Sequence, residues 1–96
     1  MLIEVPEELE RSIAATLGMV ILRAKHARAA CERMVTMLPL VIVMGGEPAE
    51  DEVAQVQEYA LAISAQVVVL ADLPSLDKLE LHLKAARRAA ELTRGE

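Results

Sequence analysis

Leu38-Pro39-Leu40-Val41-Ile42-Val43-Met44-Gly45-Gly46 is the stretch that decides how this chain is read. Residues 40–44 carry no polar side chain, so apolar and polar positions do not alternate along it. A strand covered on both faces has that composition, as the strands of parallel sheets do. The run is far too short to cross a bilayer, which takes about 20 apolar residues. Val67-Val68-Val69-Leu70-Ala71 has the same character, and amphipathic stretches of helical spacing flank both runs. Buried strands alternating with amphipathic helices predict a parallel sheet with helices on its faces.

A chain of 96 residues makes one domain, 1–96, with a single core. Phe and Trp are absent and Tyr59 is the sole aromatic, so Leu, Val, Ile, Ala and Met must build that core. The apolar content of 54% is high for this length. Coverage of both sheet faces accounts for part of it, and apolar surface meeting a partner for the rest, which points to a homo-oligomer. A net charge of −5 disfavours nucleic acid, whose binding rewards a basic surface. Cys31 is the lone cysteine, which excludes an internal disulfide, and among alanines on a helix it reads as a small buried residue. The N-terminus is acidic and lacks the long apolar region of a secretory signal, so a cytoplasmic protein is expected.

Outward from the central run, the pattern is βα repeated. Met1–Val5 reads as a first strand, stopped by Pro6, which lacks an N–H and suits the first turn of a helix. Glu7, Glu8 and Glu10 then fall where the helix dipole favours negative charge, and Leu9, Ile13 and Thr16-Leu17 make one apolar stripe. Gly18 is placed to end this helix as its C′ residue. Met19-Val20-Ile21-Leu22 reads as a second strand, the competing reading being one helix across 7–37. From His26 to Met37, Ala27, Ala30-Cys31, Met34 and Met37-Leu38 share a face. Pro48 opens a third helix with the stripe Val53, Val56, Ala60 and Ile63. Gln66–Ala71 reads as the fourth strand, and Ser75 as the N-cap of a last helix carrying Leu76, Leu79, Leu83, Ala86 and Ala90. Right-handed crossovers with strand 1 central predict a small three-layer α/β/α domain with a four-stranded parallel sheet in the order 2-1-3-4.

The order of elements, with the segment MVILRAKHARAACERMVTMLPLVIVM (19–44), resembles a receiver domain of the response-regulator family, within the flavodoxin-like architecture. That family places acidic residues after strand 1 and a phosphorylated Asp at the end of strand 3. Glu7 and Glu8 follow strand 1 here, beyond Pro6, while Met44 stands at the phosphoacceptor position, where a thioether accepts no phosphoryl group. The family's Ser/Thr after strand 4 falls near Ala71 or Asp72, and its Lys after a fifth strand has no counterpart. The resemblance implies a shortened, phosphorylation-incompetent pseudo-receiver. Such a domain has no catalytic residue and no cofactor, and it works in signalling through protein contacts.

Ligands of parallel α/β folds sit at the carboxyl ends of the strands. Glu7, Glu8 and Asp72 reach that edge from different loops and are the candidate oxygen ligands for Mg²⁺. Gly45-Gly46 before a helix could present N–H groups to phosphate, but Glu47, Glu50, Asp51 and Glu52 follow and repel it. No GxGxxG or GxxxxGK[ST] pattern, nucleophile elbow or Cys/His cluster is present in the sequence. The last helix has more apolar positions than one stripe needs. Leu81, Ala85, Ala89 and Leu92, with Tyr59, are the candidate contact face for a partner protein or a second copy. The expected function is a regulatory, protein-binding domain. The alternatives are a small Mg²⁺- or phosphate-ligand-binding protein using the acidic strand ends, and a helical dimerisation module.

Overall fold

A strand with side chains buried on both faces splits a core in two, and residues 41–44 do so here. The computed structural model describes residues 1–18, 22–73 and 75–95. Along β3 (Val41–Met44), Val41 and Val43 point into one apolar cluster, Ile42 and Met44 into the other, and all four are buried. This is the period-2 geometry of a pleated strand acting on a sequence without polar positions. The first cluster lies under α1 (Glu7–Leu17) and α4 (Leu79–Arg94) and takes in Ile13, Leu17, Leu79 and Leu83. The second lies under α2 (Ala27–Met37) and α3 (Glu50–Ala62) and takes in Ala30, Cys31, Met34, Val56 and Ala60.

The sheet is all parallel, in the order β2-β1-β3-β4, where β1 is Leu2–Ile3, β2 is Arg23–Ala24 and β4 is Gln66–Val69. The expected three-layer, flavodoxin-like architecture is therefore present, with helix pairs α1/α4 and α2/α3 on opposite faces. Among the described residues no helix is long and apolar enough to cross a membrane.

Local signals set the helix limits. Pro6 precedes α1, and Gly18 ends it in the left-handed region at φ 62°. His26 caps α2, its Nδ1 accepting from the Ala29 N–H at 3.2 Å. Ser75 Oγ accepts from the Asp77 N–H at 3.2 Å, at the head of a 3₁₀ turn (Leu76–Lys78) that leads into α4.

Five expectations need correction. The single helix across 7–37 does not form, because Gly18 closes α1 and β2 pairs with β1 before α2 begins. Met19, Val20 and Ile21 of the expected second strand lie outside the described residues; Leu22, its last residue, joins the ladder through its carbonyl, which accepts from the Leu2 N–H at 2.8 Å, and the strand itself is Arg23–Ala24. β1 is shorter than Met1–Val5, since Glu4 turns to φ 53° and leaves the ladder. β4 stops at Val69, where a 3₁₀ turn (Leu70–Asp72) starts. Met37 and Leu38, read as part of the buried stripe of α2, are exposed, because Leu38 caps the helix in the left-handed region and the chain turns away there.

The amino ends of β3 and β4 are held by one side chain. Arg94 donates from Nε to the Ile63 carbonyl at 3.0 Å and from its two other nitrogens to the Leu38 and Pro39 carbonyls at 2.8 and 2.6 Å. A guanidinium has five donors in a fixed fork, which lets it satisfy several carbonyls at once. At the same end Arg87 donates to the Leu17 carbonyl, one of the last of α1, while its Nε binds Glu91.

Candidate functional site

The carboxyl ends of the strands carry four turns: Glu4–Pro6, Lys25–His26, Gly45–Ala49 and Leu70–Leu73. In a sheet ordered 2-1-3-4 the connections from β1 and β3 leave in opposite directions, which opens a crevice between their ends. Here that crevice is filled by backbone. The Gly45 N–H donates to the Ile3 carbonyl at 2.8 Å. A Cβ on Gly45 would lie 2.5 Å from the Glu4 carbonyl oxygen and 2.9 Å from Val5 Cα. Glycine is what lets β3 leave the sheet against the β1 turn. The Gly45 N–H is spent on the ladder and is not turned to an anion. Met44, at the phosphoacceptor position of the receiver pattern, is buried among Ile3, Met34 and Val56.

Two shallow depressions flank the closed crevice. One, of about 380 Å³, is lined by Glu4, Glu7, Glu10, Arg23 and Lys25 beside β2. Its main charges cancel: Arg23 Nε meets Glu10 Oε1 at 2.7 Å and a second nitrogen meets Oε2, a bidentate pair. The hydrogen bond and charge of Glu10, helped by the charge of Glu7, raise the Arg23 pKa further. The other depression, of about 500 Å³, lies between α3 and the outer edge of β4. Glu47, Glu50 and Asp72 contribute carboxylates to it, Val53, Ala54 and Val69 its apolar wall, and no Lys or Arg lines it.

No family model, curated protein or solved structure matches this chain. The site is therefore read from its own geometry.

The candidate metal ligands do not converge. Glu7 lines the first depression and Asp72 the second, while Glu8 is exposed on α1 and lines neither. Among the described residues no three His, Cys, Asp or Glu side chains gather as a metal would require. His82 is exposed on α4, and His26 is occupied as a cap.

The candidate contact face fares differently residue by residue. Leu81 and Leu92 are 66% and 62% exposed and Ala85 is exposed as well. At spacings of four and seven they share the outer stripe of α4, opposite Leu79, Leu83 and Ala90 in the core. Ala89 is half-buried and lies a quarter-turn from that stripe. Tyr59 is 37% exposed and sits two residues on from Gln57, so it faces away from the β4 edge that Gln57 lines. Sequence reading missed Leu61, 80% exposed near the end of α3. Its signal was its absence from the stripe Val53, Val56, Ala60 and Ile63.

Proposed function

We propose that this chain is a non-catalytic, protein-binding regulatory domain of the pseudo-receiver type, acting in the cytoplasm through its helix faces and as a dimer. The observation that carries the proposal is the outer stripe of α4. Leu81, Ala85 and Leu92 stand in water on a helix whose core face is already satisfied by Leu79, Leu83 and Ala90. Exposed leucines at helical spacing are a surface for another protein. The closed crevice and the buried Met44 support the non-catalytic half of the proposal, since neither presents an acceptor or a cradle for phosphate.

Two experiments test it. Incubation with acetyl phosphate and Mg²⁺ is expected to leave the intact mass unchanged, and the gain of a phosphoryl group overturns the non-catalytic reading. Cross-linking in cells should give defined adducts with the parent chain that the Leu81→Glu/Leu92→Glu variant loses at unchanged melting temperature. Identical adducts from both chains, or none from either, overturn the role of the α4 stripe.

A further inference from the structure

We infer that two copies of this chain join through the outer edges of β4, running antiparallel about a two-fold axis at Val67, into one continuous eight-stranded sheet. The inference deepens the reading of the chain as an interaction domain that dimerises, and rests on it.

The argument starts from which backbone groups β4 leaves over. The Gln66 N–H donates inward to the Leu40 carbonyl at 2.9 Å, and backbone groups alternate in direction along a strand. The Ala65 carbonyl, both groups of Val67 and the Val69 N–H therefore point outward. None of these four finds a partner among the described residues. The Ala65 N–H is already bonded to the Ala60 carbonyl at 2.8 Å, and Val69 leads into the 3₁₀ turn. Placing Val67 opposite Val67 of a second copy joins the four free groups of each chain without remainder. Each Val67 N–H meets the other Val67 carbonyl, and each Val69 N–H meets the other Ala65 carbonyl.

The edge has none of the usual guards. Gln66-Val67-Val68-Val69 holds no charge, proline or glycine, the devices that keep edge strands from pairing. Charge supports a second copy in this orientation. Asp72 and Glu50 lie at the carboxyl end of the β4 edge, and Arg94 lies at the amino end, on the Ile63 carbonyl. An antiparallel pair sets the carboxyl end of one β4, with Asp72 and Glu50, toward the amino end of the other, where Arg94 lies. A parallel neighbour would set like charge against like.

On the α4 face there is room. α4 packs on both β3 and β4, so two copies of α4 lie about two strand spacings apart, roughly 10 Å, a normal helix-packing distance. Glu80, Lys84 and Arg87 face α1, which leaves His82, Ala86, Ala89 and Thr93 turned toward the edge; the last three are small enough for that approach, and His82 stands near the amino end of α4. Leu81 and Leu92 stay outside this contact, free for a different partner.

The test is amide exchange of the parent chain, resolved at Val67 and Val69, at micromolar and millimolar protein, with sedimentation of the same samples. Dimer formation with exchange at both amides slowed at least about tenfold at the higher concentration is the expected result. Val67→Pro removes an outward N–H and should return the chain to monomer at unchanged fold. A monomer at millimolar concentration overturns the edge pairing, and with it the dimer of the proposed function, and leaves the α4 stripe standing as a surface for another protein. A dimer whose Val67 and Val69 amides exchange as fast as in the monomer, and which Leu81→Glu/Leu92→Glu dissolves, also overturns it, in favour of the helix face.

Discussion

The two edges of the sheet differ in every property that governs strand pairing. β2 is two residues long and begins with Arg23, whose side chain is locked to Glu10. Its outward carbonyl, on Arg23, is taken by the Arg33 guanidinium. β4 is twice as long, uncharged, and presents four outward groups without a partner among the described residues. One edge is closed by side chains of its own chain and the other is left for something else. An edge strand without guards is a liability unless it is used, so the asymmetry is itself an argument for function. The same contrast separates the ligand crevice, filled by Gly45 against Glu4, from the open depression beside β4.

The comparison can be broken most sharply within β4 itself. Val68 has its backbone turned to β3, so Val68→Pro removes a ladder bond and leaves a buried carbonyl unpaired, at about 3 kcal/mol or more. Val67→Pro, one residue away, removes an outward N–H and part of a half-buried side chain, and should cost about 1 kcal/mol in the monomer. Urea titrations of the two variants measure this, and equal losses would mean that the two sides of β4 are alike.

Gly45→Ala forces backbone apart where β1 and β3 leave the sheet, and a loss of about 2–3 kcal/mol is expected. A neutral outcome would show the crevice able to open, and with it a route to ligands at the strand ends.

A third effect lies midway between the edges. In the 96-residue chain the Met1 amino group is buried beside β3 and donates to the Val41 carbonyl at 2.7 Å. Desolvation pushes it down from 8.0 to about 6. Between these values the unfolded chain holds more protons than the folded one, so stability rises with pH from 6 to 8 and is lost as pH falls through that window. The swing is on the order of 2 kcal/mol, read from unfolding midpoints at either end of the range. A flat profile would remove the amino group from the β1–β3 ladder.

The smallest effect concerns the guarded edge. Arg33→Ala frees the Arg23 carbonyl at an exposed site, at a cost near or below about 1 kcal/mol. Sedimentation should be unchanged, because two residues beginning with a charge are too little to pair. New self-association through β2 would make Arg33 the whole of the guard.

Little of the candidate site was legible in the sequence. The outer stripe of α4 was, because Leu81, Ala85 and Leu92 exceed what one core face can absorb. Ala89 was grouped with them on composition and belongs a quarter-turn away. Glu7, Glu8 and Asp72 share an edge in sequence logic, yet separate depressions and an outward-facing turn of α1 keep them apart. The openness of β4 was invisible: Val67-Val68-Val69 reads the same whether a strand is central or at the rim, since burial on its two faces comes from helices and pairing comes from neighbours.

What the sequence by itself determined is the layering. Residues 40–44 are apolar on both faces, the helices are apolar on one, and Pro6 and Gly18 bound α1. Periodicity and backbone chemistry are local, and right-handed crossovers with strand 1 placed centrally then give the order 2-1-3-4. Tertiary structure decided what stands next to what. It set Gly45 against Glu4, shifted the pairing of β2 to Arg23 and Ala24, laid Arg33 over one edge and left the other bare. Those outcomes depend on distances between segments far apart in the chain, which no local pattern encodes.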